Sequence, residues 1–111
     1  MVYRGVSTSS PIGTTGAPQH ANSTTVTYSG LSLSVTDGTS WVIGSVGASN
    51  RTSTVETPPT GMTLRSDTIG TNSEAAGFDT NGGVSAWTAK TVTINAGNVK
   101  WSAKVLEIKS Q

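Results

Sequence analysis

The chain lacks cysteine altogether and has a single histidine, His20, in 111 residues. No disulfide framework can form, and a zinc cage needing several Cys or His ligands cannot be assembled from one imidazole. Charge is also scarce, with seven Lys/Arg against six Asp/Glu, a net charge of +1 and 12% charged residues. That excludes the basic excess of a charge-driven nucleic-acid binder and the Ala/Glu/Lys/Leu richness of a coiled coil. No apolar run approaches the ~18 residues a membrane-crossing helix requires. Leu, Ile, Val and Phe number only 21, near the compositional edge of disorder. The low net charge and a clean hydrophobic alternation bring the chain back to the folded side.

What the chain has instead is 35 Ser/Thr and 13 Gly, in a length that makes one domain. Met1-Val2-Tyr3-Arg4-Gly5-Val6 lacks the apolar core of a secretory signal, and the absence of Cys fits synthesis in a reducing cytosol. Asn22-Ser23-Thr24 and Asn50-Arg51-Thr52 match the glycosylation pattern, as a Ser/Thr-rich chain does by chance. Residues 1–23 are polar, punctuated by Gly and Pro, and aperiodic. They read either as a frayed terminus or as an extended arm with little secondary structure, which orders against a neighbouring subunit through Tyr3, Val6 and Ile12.

From residue 24 the period becomes two. Val26 and Tyr28 alternate with Thr25 and Thr27, and Leu31, Leu33 and Val35 alternate with Ser32 and Ser34. Asp37-Gly38 marks a tight turn. Trp41–Val46, apolar on both faces at its start, reads as a central strand or one covered by the arm. Residues 47–60 form a loop in which Pro58-Pro59 forbids a central strand. A strand starts at Met62 and Leu64, and residues 66–83 carry only weak signals, with one helical turn over Asn72–Gly77 and a turn at Asp79–Gly83. Val84, Ala86 and Trp87 give a short strand, Thr91–Ile94 a clear one closed by Asn95–Asn98, and the last strand begins at Val99. There Val99, Trp101, Ala103 and Val105 point one way and Leu106 and Ile108 the other, so the strand either bulges or changes the face that is covered. The expected fold is therefore an all-β antiparallel β-sandwich, jelly-roll or immunoglobulin-like, over residues 24–111, with a small closed barrel as the alternative. Its expected core is Leu31, Leu33, Val35, Trp41, Ile43, Leu64, Val92, Ile94, Trp101 and Val105.

Little in the chain supplies chemistry. His20 lies in the arm, away from any nucleophile motif. Asp37, Glu56, Asp67, Glu74, Asp79 and Glu107 show no diagnostic spacing, and most read as turn residues. The start of a calcium loop at Asp79-Thr80-Asn81-Gly82 lacks its closing Glu. No catalytic residue, cofactor or metal is expected. Trp41 and Trp101 are in phase with apolar neighbours and read as core, which leaves Trp87 as the candidate exposed or interfacial aromatic. Lys100 and Lys104 share the polar face of the last strand, as protection of a sheet edge or as a docking surface for an acidic protein. A small domain without crosslinks or strong charge also favours stabilisation by partner chains.

The stretches Leu31–Val35, Trp41–Val46, Gly61-Met-Thr-Leu-Arg and Val84–Ile108 together resemble the strands of small β-sandwich proteins of tailed-bacteriophage virions. The resemblance implies a non-enzymatic structural component: a capsid decoration or cement protein, or an accessory of the head fibre, collar or tail. It implies the major capsid protein or another virion protein as partner, a homo-oligomer, in particular a trimer, and a location in the virion after synthesis in the host cytoplasm. Neither nucleic acid nor membrane is an expected partner. An arm at 1–23 would lash neighbouring subunits together, and its removal would then leave the sandwich folded. A carbohydrate- or receptor-binding accessory domain is the competing reading.

Overall fold

The computed structural model describes residues 2–49, 54–94 and 97–111. Asn50-Arg51-Thr52 and the Asn95-Ala96 part of the last turn lie outside the described residues. Eight strands follow in order: β1 (Ile12–Thr15), β2 (Gln19–Ser23), β3 (Thr25–Tyr28), β4 (Trp41–Ser49), β5 (Thr63–Ile69), β6 (Ser73–Asp79), β7 (Lys90–Thr93) and β8 (Val99–Ile108). The fold is all-β, with every pairing antiparallel. One sheet runs β1-β8-β4-β6-β5, with β2 also on β8; a second is the ribbon β3-β7. The ribbon lies over β8 and the end of β2, so the two sheets form a sandwich.

The sandwich interior follows from the alternation. Along β8, Val99, Trp101, Ala103 and Val105 are buried while Lys100, Ser102 and Lys104 are exposed. β4 matches it residue for residue, from Trp41 opposite Ile108 to Ser49 opposite Lys100. Val42, Val46 and Ala48 of β4 and Ala76 and Phe78 of β6 complete this face, and Val26, Tyr28 and Ile94 close it from the other side. Tyr28 meets Phe78 edge to face, with ring centroids 6.0 Å apart. Trp101 is buried and donates its indole N–H to Ser23 Oγ at 3.0 Å. Trp101→Ala should therefore lower stability by about 3–5 kcal/mol in urea unfolding. An unchanged midpoint would place Trp101 outside the core.

Several expectations need correction. Residues 31–36 are not a strand; only Leu31 makes a bridge, to Trp87. The segment bends away because its backbone N–H groups are taken up by a buried carboxylate, Glu107, described below. Ser73–Asp79 is not a helical turn but a strand between β4 and β5. Its Ala75-Ala76-Gly77 run hides the alternation, because exposed Ala75 and buried Ala76 and Gly77 differ too little in size and polarity to mark the two faces. Trp41 and Ile43 sit half-buried on the outer face of the sheet, and Leu64 is exposed. β8 keeps an unbroken register with β4, so the phase change at Leu106 and Ile108 reflects a change of cover and not a bulge. The cover is the N-terminal segment, where Tyr3 lies edge to face on Trp41 at 5.5 Å and Val6 bridges to Ser110.

Residues 1–23 are consequently not an arm free of secondary structure. β1 and β2 both pair with β8, which has β4 on its other side. A sheet edge left open along β8 would strand a row of backbone donors and acceptors; the N-terminal segment supplies their partners. The accessible surface of 5847 Å² is close to the roughly 5,700 Å² of a compact monomer of this mass.

Candidate functional site

Four features of the surface and interior bear on function. The first is Glu107, fully buried at the end of β8. It accepts five hydrogen bonds: from the N–H of Thr14, Ser34 and Val35 and from the hydroxyls of Ser34 and Ser40, at 2.6–3.0 Å. Burial works against its charge, but these donors outweigh burial and hold its pKa down at about 2. A Cβ at position 13 would run into this carboxylate, which explains glycine there. One side chain thus ties β1, the 31–40 segment and β8 together; its role is structural.

The second is a groove of about 700 Å³ on the outer face, bordered by Tyr3, Arg4, Trp41, Arg65, Asp79 and Lys109. Asp79 is almost fully buried and accepts from Arg65 Nε, Asn81 N–H and the Tyr3 hydroxyl. Burial opposes its charge, yet Arg65 and these hydrogen bonds hold its pKa below the ordinary value. Burial and the bond to Asp79 push the Tyr3 phenol up to about 12. Asn81, with φ 52°, turns its N–H back to Asp79 in the expected turn. These groups are engaged with one another, so the groove is a seam that fastens the N-terminus.

The third is the free edge. β5 closes one side of the sheet, with β6 as its strand neighbour, and all seven residues from Thr63 to Ile69 are exposed. Ile69 is 52% and Leu64 36% exposed. The register shift between Leu64 and Ser66 bends the strand and swings Arg65 towards Asp79. Further across the outer face, beyond β6, Ser45, Gly47 and Ser49 of β4 stand opposite Lys104, Ser102 and Lys100 of β8.

The fourth is acidic. Glu56, Asp67 of β5 and Glu74 of β6 bring carboxylate oxygens within 4.8 Å of one another. Glu74 is buried; its Oε2 accepts the Val55 N–H at 2.8 Å, while its Oε1 has no hydrogen-bond partner. Burial, together with Glu56 and Asp67, pushes its pKa up to about 7 against the pull of the Val55 N–H. All three ligand atoms are hard oxygens, the donor set of Ca²⁺ or Mg²⁺ and not of Zn²⁺.

Of the residues singled out in the sequence, Tyr3 and Val6 contact their own domain, and Ile12 pairs with Ile108 while remaining 44% exposed. None of the three needs a neighbouring subunit to be placed. Trp87 is buried, with the Lys90 ammonium 5.1 Å from its ring centroid, and is not an exposed aromatic. Lys100 and Lys104 are exposed as expected, but β8 is an inner strand, so they do not guard an edge. Sequence reasoning missed the acidic convergence, because its members are 11 and 7 positions apart on separate segments. The signal available was Glu74, which with Asp79 brackets the apolar Ala75-Ala76-Gly77-Phe78 run. Comparison with protein-family models, with curated proteins and with solved structures gives no match.

Proposed function

We propose that this chain is a non-enzymatic structural protein of a tailed-phage virion, a capsid decoration protein that attaches along its β5 edge and the adjoining outer sheet face. The observation that carries the reading is the seven-residue edge strand, exposed throughout and bearing Leu64 and Ile69. Native proteins shield such edges or pair them with another chain; the bulge at Leu64/Ser66 and the charges of Arg65 and Asp67 shield part of this one, and exposed Ile69 leaves its end open to a partner strand. The Ser/Gly stretch of β4 with Lys100 and Lys104 opposite it fits an extended, partly acidic protein surface such as a capsid lattice offers. The partner is the major capsid protein or a further virion protein, and a trimer of this chain is compatible with the same edge.

The reading is tested by co-sedimentation with the capsids of the particle it is encoded with. Wild-type protein should sediment in a fixed ratio to capsid subunits. Ile69→Lys, at a half-exposed position, should leave the unfolding midpoint within about 1 kcal/mol of wild type and cut occupancy about tenfold or more. Unchanged occupancy would remove β5 from the interface. The alternative, a carbohydrate- or receptor-binding accessory domain, is supported by the two half-buried rings, Tyr3 and Trp41, that share one groove. It predicts retention on a glycan array that is lost in Trp41→Ala.

A further inference from the structure

We propose that Glu56, Asp67 and Glu74 bind a calcium ion. The three carboxylates come from separate segments, the 54–59 loop, β5 and β6, and approach within 4.8 Å. Oxygen ligands of one Ca²⁺, each ~2.4 Å from the ion, lie at most ~4.8 Å apart, so three oxygens within that distance can share one ion, and Ca²⁺ accepts an irregular oxygen set where Mg²⁺ demands a near-ideal octahedron. Proximity of acids alone would not argue for an ion; two buried orphans do.

Glu74 is 4% exposed and its Oε1 has no hydrogen-bond partner. Tyr28, on the opposite sheet and 1% exposed, also has a hydroxyl without a partner. That hydroxyl lies close enough to Glu74 for the carboxylate charge to act on it, adding to the effect of burial. A buried acceptor and a buried hydroxyl left unsatisfied in one region each carry a desolvation penalty. An ion on the carboxylates supplies what Glu74 Oε1 lacks, and a water on the ion's inner side gives the Tyr28 hydroxyl an acceptor. The binding joins the loop before Pro58-Pro59 to the β5–β6 pair, so it stiffens the free edge strand. It stands independently of the assembly reading, since it needs no partner chain.

The test uses the whole protein, freed of metal by a chelator and then dialysed. At pH 7.5, CaCl₂ should raise the thermal midpoint by about 5–10 °C at saturation, with MgCl₂ giving a clearly smaller shift. Isothermal titration should return about one Ca²⁺ per chain. Glu74→Gln and, as a second variant, Asp67→Asn should keep the wild-type far-UV spectrum and lose the calcium shift. The proposal is overturned if wild-type protein shows neither heat nor midpoint change with calcium at 5 mM. It is equally overturned if both variants keep the shift. A wild-type midpoint that rises on acidification through pH 7, without any calcium response, would mean that the acids are held together by a proton.

Discussion

Glu107→Ala should lower stability by about 3–5 kcal/mol at pH 7, because five hydrogen bonds to one charged, fully buried acceptor are lost together, each worth up to ~1.5–3 kcal/mol and less where Thr14, Ser34 and Val35, half-buried or exposed, can turn to water. The donors belong to two segments, so the loss frees Thr14 of β1 and the 34–40 segment from β8 together. The same carboxylate sets the acid limit of the fold. Its pKa is about 2 in the folded protein against 4.5 as the ordinary value, so on acidification the unfolded chain takes up the proton first. Its contribution is fully present above about pH 4.5 and is lost as pH falls towards 2, a swing of about 2–3 kcal/mol. Glu107→Gln should flatten that slope. Urea unfolding at pH 7 and pH 3 reads both effects; equal wild-type midpoints at the two pH values, or a neutral Glu107→Ala, would show that the carboxylate does not hold the segments together.

Deleting residues 2–20 should abolish cooperative unfolding or cost on the order of 5 kcal/mol, the lower range of a small domain's whole stability. The deletion removes β1, the first half of β2, the Thr14 bond to Glu107 and the Tyr3 bond to Asp79. It also uncovers Trp41 and Ile108 and opens one side of β8 from Ser102 to Ile108. The outcome is read by thermal melting and by solubility, since an opened inner strand is a template for aggregation. A truncated protein that melts like wild type would return residues 1–23 to the status of a separable arm.

The parts of this fold that alternation governs were legible in the sequence. Val26/Tyr28, Thr91–Ile94 and Val99–Val105 sit where period two places them, because each buries one face more deeply than the other; Trp41–Val46 is a strand as expected but in the opposite phase, with Val42 and Val46 inside and Trp41 and Ile43 on the outer face under the N-terminal segment. The segment 31–36 also alternates, yet it forms no strand; a buried acid 72 positions away from Val35 claims its amides, and no local pattern records such a bond. β6 failed for the opposite reason. Its Ala75-Ala76-Gly77 run has little contrast in size or polarity between the exposed and the buried face, and small residues give no periodic signal. Residues 12–23 read as irregular because their pairing is all with β8, some 80 positions later, and a strand held by a distant partner needs no hydrophobic face of its own. At the surface, Lys100 and Lys104 were correctly read as exposed from phase alone. Trp87 was misjudged, since the short strand assumed for it is a single bridge and its ring turns inward beneath Lys90.

The central claim is that the chain assembles through its β5 edge, and hydrogen–deuterium exchange of residues 63–69, in the free protein and on the particle, tests it most directly. In the free protein the outward-facing amides of β5 should exchange fast, as solvent-exposed edge amides do. On the particle they should slow by about tenfold or more, because a strand from the partner chain then accepts their hydrogen bonds. Identical exchange of 63–69 in the two states, with protection appearing instead around Tyr3 and Trp41, would contradict the account and move the binding surface to the groove at the N-terminus.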